Sequence, residues 1–284
     1  MSDTILTEVQ DGTCTITLNR PEVENAMNAE MLEAFDAAVA EAGAREDVLV
    51  LLIRGAGESF STGLDPRERG TLAFNPSPQD RPYMSDIFVD NWRRSEIWSR
   101  FSDLPKPKIA TIQGKCLGDA AMLAMLCSTT IAAEDAIFGD PAIRMGLSSS
   151  NPLWMWTLGP RRAREVYFGR YLRGDTAREW GLVTRVVPLD QLEEEGQLAA
   201  DSTARRGGMT GLDGQITGSF IGRTSGTASG KPLARDFAVN TAALSAYQRY
   251  GFREGEYDFW QRVEELGIED ALAERDDRYA AYIT

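Results

Sequence analysis

The chain has 284 residues, of which 30 are Lys or Arg and 43 are Asp or Glu, giving a formal net charge of −13, and it contains no histidine. Hydrophobic residues make up 43% and charged residues 26%, the composition of a globular chain with a well-filled core and a length for one large domain or two. The acidity argues against nucleic acid and anionic membrane as partners, and the missing histidine excludes Ser-His-Asp and Cys-His nucleophiles and every His-ligated metal.

Proton transfer is left to carboxylates, Tyr, Cys, water and the four lysines Lys106, Lys108, Lys115 and Lys231. Arg does not give up its proton at working pH, so a general base is expected to be Asp or Glu. The cysteines Cys14, Cys116 and Cys127 are too few and too spread for a metal cluster, and read as small buried apolar residues. The opening MSDTILTEVQDG has neither a basic start nor an apolar run. With an odd cysteine count, this predicts a cytoplasmic protein without a membrane span.

In chain order, residues 4–19 alternate around a Gln10-Asp11-Gly12 turn and predict a β-hairpin. Asn28 is placed to cap a helix carrying Met31, Leu32, Phe35, Ala38 and Val39 at helical spacing. The unbroken apolar run Val48–Ile53 predicts a strand buried on both faces, followed by a turn-rich loop from Arg54 to Gly63. Residues 66–82 predict an irregular loop, and 84–101 a helix with Trp92, Ile97 and Trp98 on its apolar side. A strand at 108–112, a turn at 114–118, an apolar helix at 119–128 and strands at 131–133 and 136–138 follow. Helices near 161–170 and 176–181 and a strand at 183–187 close this part.

A strand or two and then a helix, repeated, predicts an α/β fold wound in short spiral turns. Residues 1–200 form this core, and residues 201–284 a Gly-rich connection (Gly207 to Gly230) plus an acidic helical subdomain over 232–282.

Five stretches resemble the crotonase (enoyl-CoA hydratase/isomerase) superfamily. They are ITLNRPEVENAMN at 16–28, FSTGLD at 60–65, PKPKIATIQG at 105–114, STTIAAEDAIFGDP at 128–141 and AREWGLVTRVVP at 177–188. The resemblance implies a spiral of repeated ββα units with a C-terminal helical part that assembles trimers or hexamers. It implies an acyl-CoA substrate, with coenzyme A as part of that substrate and no separate cofactor. It also implies an oxyanion hole made by the backbone N–H groups of Leu64 and Asp119. By the same matching, Asn25 and Ala26 shape the adenine pocket, Gly63, Asp65 and Gly118 frame the hole, and Arg67 is a basic position for CoA.

The chain departs from the family pattern at the catalytic carboxylates. The triplet motif reads CLGDAAM at 116–122, with Asp119 in place of a glycine and Met122 in place of a hydratase glutamate. The second glutamate position is Ala142. Neither replacement carries protons, so ordinary hydration is not expected. Asp119 and Asp140 stand close by in sequence as candidate acid and base, against a helix-cap role for Asp119 and a turn role for Asp140. Ser148, Ser149 and Ser150 are candidates to hold a water or carbonyl, or to form a turn before a helix near Pro152. Trp92 and Trp154 are candidates for a pocket wall or for core packing.

Glu22, Glu24 and Glu58 occupy loops where the family is basic. Three readings follow. The first is a lyase, isomerase or hydrolase of acyl-CoA. The second is a CoA-independent C–C hydrolase of cyclic β-diketones. The third is a catalytically silent binding subunit.

Overall fold

The computed structural model describes residues 3–67, 84–145, 149, 151–205 and 258–280. β1 (Ile5–Gln10) and β2 (Thr13–Leu18) form the expected hairpin, with Ile5 opposite Leu18. Asp11 (φ 49°) and Gly12 (φ 83°) supply the left-handed turn that an Asp-Gly pair favours. Asn28 caps α1 (Ala29–Ala44), its side-chain oxygen accepting the Met31 N–H at 2.9 Å. The stripe Met31, Leu32, Phe35, Ala38, Val39 is buried as its spacing predicts. β3 (Val50–Gly55) is buried from Val50 to Ile53.

The chain then winds. β3 leads through residues 61–64 to α2 (Met84–Asp103). β4 (Lys108–Ile112), β5 (Lys115–Leu117) and α3 (Asp119–Met125) make the next turn. β6 (Thr129–Ala133), β7 (Ile137–Gly139) and α4 (Leu153–Tyr167) make another. β8 (Leu172–Arg173), α5 (Gly174–Glu179), β9 (Arg185–Val187) and α6 (Leu192–Arg205) complete it.

The first strand of each turn joins a six-stranded sheet, order β1-β2-β3-β4-β6-β9, parallel after the hairpin. The second strand joins a smaller sheet, order β5-β7-β8. Isolated parallel bridges Met27–Leu64 and Ser61–Cys116 extend this smaller sheet back through the earlier turns. The repeated unit is therefore ββα, a crotonase-type spiral.

Ile16, Leu51, Ile53, Ala110, Phe35, Phe101 and Trp154 share one core between the sheets and helices. Ala200 and Ala204 of α6 cover Val50, Leu52 and Ile109 on the other face of the large sheet. α7 (Phe259–Leu266) and α8 (Ile268–Tyr279) pack through Phe259, Trp260 and Ala271 onto Met145.

Several local expectations are corrected. The predicted turn at 114–118 contains β5, because Lys115–Leu117 finds ladder partners on both sides, in Ser61 and in β7. The predicted helix at 161–170 begins at Leu153 as one kinked element, bent where Gly159 (φ 75°, ψ 165°) precedes Pro160. α3 stops at Met125, and the last strand covers only Arg185–Val187. α6 runs on to Arg205, past the expected end of the core at residue 200. The loop beyond Arg67, the segment from Gly207 to Gly230 and all of 232–257 lie outside the described residues, as do Ser148 and Ser150.

Candidate active site

The strands of the smaller sheet run parallel from Met27 to β7, so their C-terminal ends lie side by side, the edge where α/β sheets present ligand sites. Residues 63–65, 118–119 and 139–141 meet there. Met27 N–H donates to the Gly63 carbonyl at 2.7 Å and Asp65 N–H donates to the Met27 carbonyl at 3.0 Å. In such a parallel bridge the bridged residue's own N–H faces the opposite side, which here is the side of Gly118 and Asp119. The approach on that side is close. A Cβ on Gly63 (φ +87°) would sit 2.7 Å from the Leu117 carbonyl oxygen and 3.3 Å from the Asp119 nitrogen.

Asp119 opens α3, but Gly118 (φ 54°, ψ −120°) is the N-cap residue and no side chain caps the helix. The expected capping role of Asp119 is therefore not what its carboxyl does. Its Oδ2 accepts the Trp98 indole N–H at 3.3 Å, so the carboxyl is turned toward α2. Met122, one turn along α3, packs half-buried against the main core, and Ala142 packs against the Met145–Phe259–Trp260 cluster that Leu64 also touches.

Asp140 is 4% exposed and lies beyond the end of β7. Gly118 N–H donates to the Gly139 carbonyl at 2.9 Å, and the Pro141 Cδ is 3.5 Å from the Cβ point of Gly118, so Asp140 lies beside the hole residues. Its Oδ1 accepts Ala142 N–H at 3.0 Å and its Oδ2 accepts the Ser149 hydroxyl. The turn role expected for Asp140 is thus real, and a second contact is added to it. Burial pushes the Asp140 carboxyl above its ordinary value, opposed by donors from Ser149, the Ala142 amide and the Trp154 indole. The Trp154 indole N–H faces this carboxyl but makes no hydrogen bond of good geometry.

Other expected binding residues make hydrogen bonds and ion pairs within and between their loops. Asn25 is fully buried, accepts Arg20 N–H at 2.8 Å, and donates to Ala56 and Ser59 carbonyls at 2.7 and 2.8 Å. The Ala26 carbonyl accepts Arg20 Nη1 at 2.6 Å, and buried Asp65 pairs with Arg20 at 2.9 Å and with Arg67 at 3.4 Å. Trp154 is fully buried core, while Trp92 is 37% exposed on α2. The three lysines among the described residues are also committed. Lys106 Nζ donates to the Ala42 and Arg45 carbonyls at the end of α1, Lys108 Nζ to the Leu104 and Lys106 carbonyls past the end of α2, and Lys115 pairs with Glu24.

Leu64, Arg67 and Pro141 line a cavity of about 290 Å³ whose other walls include Glu22, Glu24 and Glu269. Arg67 is not free to face it alone. Its Nε and Nη2 reach the Glu269 carboxylate at 2.6 and 3.0 Å, which raises Arg67 and lowers Glu269 from their ordinary values. Nothing local in the sequence points to Glu269, which is 202 residues away. A larger hollow of about 810 Å³ lies between the outer sheet face and α6, lined by Leu6, Arg54, Gln113 and Leu192, and touches none of these groups. Among the described residues, no cluster of three or more His, Cys, Asp or Glu is placed to hold a metal, and no helix is long and apolar enough to cross a membrane.

Residues 8–208 match the sequence family described as enoyl-CoA hydratase/isomerase. A probable enoyl-CoA hydratase of Mycobacterium bovis is 31% identical over 208 residues, 72% of this chain and 76% of its own length. One of Rhizobium meliloti is 33% identical over 207 residues, 71% of this chain and 76% of its own. The solved structure of an enoyl-CoA hydratase/isomerase from Xanthobacter autotrophicus Py2 matches with a TM-score of 0.85 at 30% identity, covering 98% of this chain and 99% of that one. The motifs, the spiral and these matches agree: the chain belongs to the enoyl-CoA hydratase/isomerase family of the crotonase superfamily.

Proposed function

We propose that the protein stabilises an enolate or related oxyanion formed from an acyl-CoA thioester, as a lyase, isomerase or hydrolase rather than an ordinary hydratase. The thioester oxygen accepts hydrogen bonds from Leu64 N–H and Asp119 N–H. The observation that carries this reading is the close approach of the two segments, a Cβ on Gly63 falling 3.3 Å from the Asp119 nitrogen, on the side to which Leu64 N–H is turned. One such donor is worth about 3 kcal/mol of barrier. The Asp119 carboxylate, which would oppose an enolate, is held toward α2 by Trp98. Met122 and Ala142 stand where a hydratase carries its glutamates and offer no group to activate water. Asp140 is buried beside the hole, whereas buried Asp65 is spent on Arg20 and Arg67, and Asp140 serves as the proton carrier.

A second reading, CoA-independent cleavage of cyclic β-diketones, is favoured by one observation. The cavity beside Leu64 is lined by Glu22, Glu24, Glu269 and Asp276 against Arg67 and Arg275, a poor setting for phosphates. The two readings separate in a thermal-shift titration. A ligand that binds only the folded protein raises the melting temperature, so CoA or acetyl-CoA at millimolar concentration raises it under the first reading. No shift with either removes the first reading. Crotonyl-CoA hydration at the rate of an ordinary hydratase removes the exclusion of that reaction. Assembly as a homotrimer or hexamer belongs to the same proposal and is checked by sedimentation velocity.

A further inference from the structure

Ser149 is the one hydroxyl that reaches Asp140 among the described residues, and the two differ in access. Asp140 is 4% exposed, whereas Ser149 is only half-buried. Ser149 is therefore the more accessible of the two residues, and its hydroxyl rests on the carboxyl that stands beside residues 63–65 and 118–119. Ser149 is itself held in place. Its hydroxyl donates to Asp140 Oδ2 and its oxygen accepts Asn151 N–H at 3.3 Å, while Asn151 Oδ1 accepts Leu153 N–H at 3.0 Å at the start of α4. The pair is anchored on two sides, by the start of α4 and by the end of β7.

The surroundings suit a carboxyl that changes charge. Burial favours the neutral acid, and the donors Ser149, Ala142 N–H and the unpartnered Trp154 indole favour the anion. Among the described residues, Tyr167 and Tyr171 are the other titratable groups that feel its charge, and burial holds both phenols well above their ordinary value, so neither competes for the proton.

We propose that Ser149 is the catalytic hydroxyl that passes a proton between the α-carbon of an acyl thioester and Asp140 behind it. This rests on the reading of the site given above and adds the atom that touches the substrate. In the forward step the substrate Cα–H bond breaks and its proton goes to Ser149 Oγ. The hydroxyl proton of Ser149 moves to Asp140 Oδ2 in the same step. The electron pair of the C–H bond becomes the enolate, whose oxygen lies against the Leu64 and Asp119 amides. The reverse step returns a proton to carbon and restores the Asp140 anion, so no other reactant is required. The substrate class follows: a thioester with at least one hydrogen on its α-carbon.

The test is α-hydrogen exchange of butyryl-CoA in D₂O, followed by proton NMR, with the thermal shift by butyryl-CoA measured on the same samples. The wild-type protein is expected to exchange. Ser149→Val, which replaces the hydroxyl with two methyl groups, is expected to lose about 100-fold in exchange while keeping the thermal shift. Ser149→Thr, which has the shape of the Val variant but carries a hydroxyl, recovers most of the rate. Comparing Thr with Val cancels effects on folding, because both place a branched side chain there. Asp140→Asn falls to the level of Ser149→Val.

Equal exchange by the Val and Thr variants overturns the relay. Exchange absent in the wild type, with the butyryl-CoA shift intact, overturns the relay and leaves CoA binding standing. Absence of both exchange and shift overturns the underlying reading and the relay with it.

Discussion

The indole nitrogen of Trp98 donates to Asp119 Oδ2 across 3.3 Å, tying the middle of α2 to the first residue of α3. Trp98 also packs against Phe35 of α1, ring centroids 6.0 Å apart, so the carboxyl of Asp119 is held by a side chain that is itself fixed in the core. An ionised carboxyl at a hole for a developing oxyanion is a liability unless its direction is controlled. Trp98 controls it. Trp98→Phe is expected to cost about 1–3 kcal/mol, since a buried acceptor loses a donor, and to lower turnover because the carboxyl regains freedom. Adding Asp119→Asn to Trp98→Phe removes the charge and recovers turnover. Urea unfolding reads the first effect and initial rates the second; identical rates for the single and double variants would show that the direction of this carboxyl is irrelevant.

The close approach of the backbone at Gly63 to residues 117–119 makes a sharper test. Gly63→Ala places a Cβ 2.7 Å from the Leu117 carbonyl oxygen at a residue with φ +87°. Strain and steric contact both act, and both distort the edge that carries the two amides. Loss of one donor is expected to lower kcat by about 100- to 1,000-fold. Gly181→Ala is the matched control, because Gly181 also has positive φ (+82°) but nothing within 4 Å of its Cβ point. It carries only the conformational penalty, about 1–2 kcal/mol. If the two variants lose stability equally and keep the same kcat, the edge at Gly63 has no special role.

Asp140 gives a pH dependence whose direction is fixed by its burial. The folded protein holds this carboxyl above its ordinary value of 3.8, so it binds the Asp140 proton more tightly than the unfolded chain does. Across the interval from 3.8 up to the raised folded value, folding takes up a proton. The stability contributed by Asp140 is therefore full below this interval, is lost as pH rises through it, and is level above it. Asp140→Asn is neutral throughout. The variant is expected to gain on the wild type as pH climbs through the interval and to keep a constant difference beyond it. Urea midpoints from about pH 4 to pH 8 check this, and a difference that does not change with pH refutes it.

How far the sequence reveals this protein depends on where each partner lies. The α1 stripe and the Val48–Ile53 run are legible because their burial follows from local spacing. β5 is not, since Lys115-Cys116-Leu117 has no alternation and becomes a strand only through partners at Ser61 and β7. The resemblance names Asn25 and Asp65 as binding residues, but their side chains are spent on Arg20, Arg67 and the Ala56 and Ser59 carbonyls. What the motif preserves there is the shape of the loop. Asp140 stands out in sequence because it precedes Pro141, yet its contact with Ser149, nine residues on, is one that no local pattern announces.

The pairing of Arg67 with Glu269 decides what charge the cavity beside Leu64 presents. Two nitrogens of one guanidinium meet one carboxylate, and Asp65 stands on the other side at 3.4 Å. Because the Glu269 side chain is 69% exposed, this pair stabilises the docking of α8 by no more than about 1 kcal/mol. Its larger effect is on ligand charge, since Arg67 bound to two carboxylates has little attraction left for a phosphate. Glu269→Gln leaves the packing of Phe259, Trp260 and Ala271 on Met145 untouched. It is expected to tighten CoA binding by about tenfold, the equivalent of about 1.4 kcal/mol, and Arg67→Ala to weaken it. Both differences shrink as salt rises, because the groups reach solvent. Calorimetric titration with CoA at low and high ionic strength measures them. Unchanged affinity in both variants would mean that the phosphates of CoA lie elsewhere, and that this acid-lined cavity takes an uncharged part of the ligand.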